Sequence, residues 1–153
     1  MAEQPLCPAP YSLRGRVAVV TGGSRGIGRA TSLALATMGA DVVVNYASRE
    51  DAARDVEREI TALGRRAFIV QADVSVGAQV KAMASAVLER FGAVDILVNN
   101  AGINADHMIV DMPEEEWDQV LDVNLKSAFL CTQAFAPAMI ERRWGRIVNV
   151  STV

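Results

Sequence analysis

The chain has 153 residues, of which 51% are hydrophobic and 22% charged, enough to bury the core of one domain and too apolar for a disordered tail. Its 15 basic and 18 acidic residues are interspersed and leave a net charge of −3, so no basic face for nucleic acid or an anionic membrane is expected. No apolar run reaches the length of a membrane span, and Met1 to Tyr11 lacks the basic start and apolar core of a signal peptide, which makes the expected location cytoplasmic.

Residues 1–13, with Pro5, Pro8 and Pro10, read as a flexible arm, because proline removes backbone donors and keeps the chain extended. From residue 14 to 153 one domain is expected, in which strand-like runs near 16–21, 41–46, 66–71, 94–98 and 146–151 alternate with helical patterns. That alternation predicts an α/β fold, a parallel sheet covered on both faces.

The first helix carries Ile27, Ala30, Ala34 and Met38 at helical spacing, a predicted buried stripe. The second has Val56, Ile60 and Leu63 on one face, with Gly64 just past its end. The third has Val80, Met83, Ala84, Val87, Leu88 and Phe91, followed by Gly92. The longest starts at Pro113, carries Glu114, Glu115 and Glu116 at its positive end, and closes with Arg142 and Arg143 before Gly145. Those glutamates read as capping charge, not as a metal site. Cys7 and Cys131 lack neighbours at metal spacing and read as free thiols, so no metal is expected. The single histidine, His107, reads as a solvated surface group, with substrate contact as the alternative.

The most informative segment is Thr21-Gly22-Gly23-Ser24-Arg25-Gly26-Ile27-Gly28, between the strand Val17-Ala18-Val19-Val20 and the first helix. Strand, glycine turn and helix in that order are the context of a dinucleotide motif. Glycine at 22, 26 and 28 permits a tight turn, close approach to a pyrophosphate and packing of helix on strand, while free N–H groups at the helix start face the anion. A second small-residue loop, Asn99-Asn100-Ala101-Gly102, follows the apolar run Val94 to Val98.

With Asp122-Val123-Asn124-Leu125 and Gly145-Arg146-Ile147-Val148-Asn149-Val150, the series from about Gly15 onward resembles the short-chain dehydrogenase/reductase family. Within it the likeness is closest to the 3-oxoacyl-[acyl-carrier-protein] reductases and acetoacetyl-CoA reductases, carried by Gly102 to Asp106, Glu116 to Leu125 and Arg143 to Val150. The resemblance implies a Rossmann-type doubly wound sheet, three layers deep, with the first strand beside the fourth and ligands at the carboxyl ends of the strands. It also implies NADPH-dependent reduction of a 3-oxoacyl thioester in fatty acid biosynthesis, and a homo-oligomer, a tetramer, when the enzyme is intact.

Several site residues follow. A carboxylate about 20 residues past the glycine loop ordinarily binds the ribose 2′-hydroxyl, but here the second strand ends in Asn45-Tyr46-Ala47-Ser48-Arg49, with neutral Asn45 expected at the cofactor in the carboxylate's place. Arg25 and Arg49, with Ser48, are suited to a 2′-phosphate instead, so NADP(H) is the expected cofactor; alternatively Arg49 merely starts the next helix. Gly22, Ser24, Gly26, Ile27 and Gly28 are the expected cradle. By the resemblance, Asp73 and Val74 border the adenine, Asp73 serving equally as an N-cap, and Asn99, Ala101 and Gly102 run beside a ribose.

Family catalysis uses an Asn, a Ser, a Tyr and a Lys. Asn124 matches the Asn, which holds a helix kink and a relay water, and is otherwise a satisfied helix amide. Thr152 falls at the Ser position, with Ser151 before it. The Tyr-x-x-x-Lys pair has no counterpart among these residues. The sequence therefore reads as the N-terminal, cofactor-binding part of a longer enzyme, with a non-catalytic nucleotide-binding or interaction module as the alternative. Read as such a part, it is expected to leave its last strand, Arg146 to Ser151, with an uncovered edge.

Overall fold

The structure is a computed structural model, and it describes residues 11–151. Five parallel strands, β1 (Val17–Val20), β2 (Asp41–Tyr46), β3 (Ala67–Gln71), β4 (Ile96–Asn99) and β5 (Arg146–Asn149), form one sheet in the order β3-β2-β1-β4-β5. Between them run α1 (Gly26–Thr37), α2 (Glu50–Ala62), α3 (Gly77–Phe91), α4 (Glu114–Leu121) and α5 (Ser127–Glu141). The order turns back on itself at β1 and β4, which is where a doubly wound sheet opens a crevice at its carboxyl edge.

Near-continuous aliphatic runs in β1, β2 and β4 are what a sheet buried on both faces requires. Side chains alternate between the faces, so each run feeds two cores. Val19, Val43 and Leu97 meet Val80, Met83 and Val87 of α3 and Cys131, Phe135 and Met139 of α5. Ala18, Val20, Val42, Val44 and Val98 meet Ala36 of α1 and Ala53, Val56 and Ile60 of α2.

The helical stripes of α2 and α3 lie largely where their spacing puts them, except that Leu63 is exposed past the end of α2. Gly64 and Gly92 both take positive φ just after their helices.

In α1 the expected stripe is wrong. Ile27, Ala30 and Ala34 are exposed, and Gly28, Ser32 and Ala36 are the buried face. The helix sits so close to the sheet that only small residues fit beneath it, and the Ser32 hydroxyl is satisfied by donating to the Gly28 carbonyl at 2.9 Å. Hydrophobicity therefore misleads where close approach decides.

The long helical region contains a five-residue π-helical stretch, Asp122–Lys126, between α4 and α5. Such stretches widen a helix by one residue and are frequent at functional sites. Pro137 lies inside α5.

Most of the expected arm over 1–13 lies outside the described residues, as do Cys7 and Thr152. Its last residue, Leu13, is fastened to the domain: its N–H donates to the Met38 carbonyl at 2.8 Å and its side chain packs on the α1/α2 core.

At the amino ends of the strands, buried Asp95 ties three segments together. It accepts the Val17 N–H at 2.8 Å and pairs with Arg16 at 3.1 Å and Arg142 at 3.0 Å. The Arg16 guanidinium stacks 3.7 Å over Trp144. No helix among the described residues is long and apolar enough to cross a membrane.

Candidate cofactor site

A cleft of about 450 Å³ opens at the carboxyl ends of β1, β2 and β4. The glycine loop forms its floor, with Gly22, Ser24, Arg25, Ile27 and Gly28 on its wall. Gly22 and Gly26 adopt φ of +60° and +52°, a region open to glycine and costly for other residues. A Cβ on Gly28 would collide with the Gly22 carbonyl oxygen and the Asn100 amide, and one on Gly22 would lie 3.1 Å from Ala101 Cα. The spacing of these glycines thus reports the mutual approach of two loops and a helix.

Side-chain hydrogen bonds lace the loops together. Thr21 Oγ1 accepts the Asn100 and Ala101 N–H groups at 2.9 and 3.0 Å. Asn100 Nδ2 donates to the Thr21 and Gly22 carbonyls at 2.9 and 3.2 Å. Neither Thr21 nor Asn100 stood among the expected site residues. Their signal was position alone: each adjoins a glycine-rich loop, and each satisfies backbone groups that such a loop leaves open.

The amino end of α1 receives no side-chain cap, Arg25 occupying the N-cap position. Its first N–H groups and positive dipole end are left for an anion. Arg25 itself is exposed and makes no ion pair among the described residues. Uncapped amides and bare glycine backbone together fit the pyrophosphate of a dinucleotide, with the Arg25 guanidinium beside them.

Asn45 takes a different part from the one expected. It is buried; its Oδ1 accepts the Gly22 N–H at 3.2 Å and its Nδ2 donates to the Ala72 carbonyl at 3.0 Å. It braces the loop from behind, with its hydrogen-bonding groups already engaged. The neutral character of the strand end rests instead on the whole stretch Asn45 to Arg49, all of which borders the cleft and none of which is acidic.

Ser48 and Arg49 are exposed at the rim. Arg49 is not free: its Nε and an η-nitrogen grip Asp51 at 3.1 and 3.0 Å. That pairing, chiefly the side-chain hydrogen bond from Arg49, holds the Asp51 carboxyl at about 2 and raises the pKa of Arg49 further.

On the far wall, Asp73 is exposed and Val74 buried. Val76, not Asp73, is the N-cap of α3. Asp73 accepts the Ser75 N–H at 2.9 Å and its hydroxyl at 2.6 Å, leaving its second carboxylate oxygen toward solvent. Ala101 and Gly102 border the cleft, with Ile103, Gln119 and Val123 extending the wall.

Two expected residues stand off. Gly26 gives the turn but not the lining, and Asn99 is buried behind the cleft, where its Nδ2 donates to Asn149 Oδ1 at 2.8 Å across β4 and β5.

Asn124 lies in the π-helical stretch and clamps the loop after β4, accepting the Ile103 N–H at 2.8 Å and donating to the Ile103 carbonyl at 2.9 Å. It is thus satisfied by another segment and not by its own helix. The same loop is held to α4 by His107, whose Nε2 lies 2.9 Å from the Glu116 carboxylate. Half-exposed His107 is therefore a tether and not simply a solvated group.

The family pattern described as short chain dehydrogenase matches residues 16–153. The chain belongs to that family. It is 48% identical over 136 residues to 3-oxoacyl-[acyl-carrier-protein] reductase FabG of Staphylococcus epidermidis, covering 89% of this chain and 56% of that protein. It is 46% identical over 142 residues to 3-oxoacyl-[acyl-carrier-protein] reductase of Synechocystis, covering 93% and 58%. The chain thus spans little more than half the length of the curated relatives it matches. Among solved structures, a metagenomic short-chain oxidoreductase in complex with NADP superposes with a TM-score of 0.88 at 44% identity, covering 92% of this chain and 64% of that one. A short chain dehydrogenase from Burkholderia cenocepacia J2315 in complex with NADP gives 0.80 at 43% identity, covering 82% and 51%.

Proposed function

We propose that this chain supplies the NADP(H)-binding surface and part of the catalytic surface of a reductase that converts a 3-oxoacyl thioester, on acyl carrier protein or CoA, to its 3-hydroxyacyl form. One observation carries the cofactor choice: the cleft segment after β2 contains no carboxylate, while Arg25 stands unpaired at the start of α1. The names of the relatives support the substrate class.

When bound, NADPH supplies the hydride. The open N–H groups of α1 hold the pyrophosphate, Arg25 the 2′-phosphate, and the outward oxygen of Asp73 the adenine amine. Asn124, by fixing Ile103, keeps the wall formed by Ile103 and Val123 in place on the side where substrate enters. By the family resemblance, Thr152 takes the place of the family's catalytic serine. The proton for the substrate carbonyl comes, as the same resemblance has it, from a tyrosine tuned by a lysine, a pair absent from this sequence. Homo-oligomeric assembly belongs to the same reading and is supported by exposed Leu125 and Phe129 on the long helical region.

A nucleotide-binding or interaction module without turnover is the second reading, for which the cleft between the glycine loop and the strand ends suffices. Fluorescence titration of the chain with NADPH and NADH tests the cofactor assignment: NADPH is expected to bind at least about tenfold more tightly, the scale of one charge-assisted hydrogen bond, and equal affinities overturn it. Turnover of acetoacetyl-CoA with NADPH, expected from a polypeptide that adds an in-frame Tyr-x-x-x-Lys segment and absent without it, separates enzyme from module.

A further inference from the structure

The two guanidiniums at the rim of the cleft are not equivalent. Arg25 makes no ion pair among the described residues, whereas Arg49 is engaged edge-on by the carboxylate of Asp51, two residues along, in the first turn of α2. Neighbouring Glu50 is occupied elsewhere, pairing with Arg54 one turn further on. Among the described residues Asp51 has one ionic partner, Arg49, and that partner borders the cleft.

A fork-to-fork pair takes up the face of the guanidinium best shaped for a phosphate. It also places a negative charge within a few ångströms of any anion that Arg49 contacts, and like charges at that distance repel. Both effects weaken an added phosphate and leave a ribose hydroxyl untouched. The Asp51 carboxyl, held at about 2 by Arg49, stays ionised across the neutral range.

We propose that Asp51 is a specificity-determining residue: by occupying Arg49 it restrains the affinity of this cleft for a 2′-phosphate, and so sets how strongly NADPH is preferred over NADH. The proposal rests on the reading of the cleft as an NADP(H) site.

The experiment is a set of calorimetric titrations of the 153-residue chain, Asp51→Asn, Glu50→Gln and the double variant Asp51→Asn/Arg49→Gln with NADPH and NADH. Asp51→Asn is expected to tighten NADPH binding about three- to tenfold at about 20 mM salt, with the gain vanishing near 0.5 M as screening removes it. NADH affinity stays unchanged, Glu50→Gln has a much smaller effect, and removing Arg49 as well abolishes the gain. Equal gains in Asp51→Asn and Glu50→Gln mean that bulk charge alone is at work and overturn the proposal, as does an Asp51→Asn variant indistinguishable from the parent. A parent chain that prefers NADPH with no response to Asp51→Asn overturns this proposal alone. A parent and all variants that bind both dinucleotides equally overturn the cofactor reading as well.

Discussion

Asn45 and Gly22 share a hydrogen bond of 3.2 Å that joins the end of β2 to the turn after β1, with the Asn45 amide donating behind it to the Ala72 carbonyl. One buried side chain thus connects the ends of three adjacent strands beneath the cleft.

Replacing it has a defined cost. Asn45→Ala leaves a buried N–H and a carbonyl unpaired, which is worth about 1–3 kcal/mol. A lower melting temperature and weaker binding of both dinucleotides are expected. Asn45→Asp turns a carboxylate toward the Ala72 carbonyl; it is expected to destabilise the fold without improving NADH binding, as denaturation and titration together would show.

Gly28→Ala forces a methyl group against the Gly22 carbonyl and the Asn100 amide. Overpacking at such a contact costs about 1–3 kcal/mol. The displaced loop is expected to lose NADPH binding in titration, whereas Gly26→Ala meets open space and suffers mainly from its positive φ.

Asp95 is buried with Arg16 and Arg142 on one oxygen and the Val17 N–H on the other. Asp95→Ala leaves the buried Val17 N–H unpaired, while both guanidiniums reach solvent, and is expected to cost about 1–3 kcal/mol. Urea unfolding measures it. The cluster lies at the opposite edge of the sheet from the cleft, so dinucleotide affinity of the folded fraction is expected to hold.

Burial pushes the Cys131 thiol up to about 12. A thiol that stays neutral when folded but ionises when unfolded contributes stability below its ordinary pKa, and this is lost as pH rises from there toward about 12. In a Cys7→Ser variant, the chain is expected to resist a disulfide reagent at pH about 8 and to react promptly in urea, because the thiolate is the nucleophile. Rapid labelling of the native chain would contradict the burial of this residue.

The sequence by itself determined the alternation of strands and helices, the glycine turn and the parallel sheet, because valine runs, helical spacing and positive-φ glycines are local signals. It also marked the segments of the cleft, since Gly22 to Gly28, Asn45 to Arg49, Asp73-Val74 and Ala101-Gly102 each end a strand or start a helix. What each side chain does there was decided by the tertiary structure. Asn45 and Asn99 turn inward to brace neighbouring strands, Thr21 and Asn100 lace the loops, and α1 buries Gly28, Ser32 and Ala36 beneath an exposed Ile27. The reason is physical: a polar side chain at a strand end can satisfy a ligand or the backbone of the next strand, and only the distance between the two elements selects which.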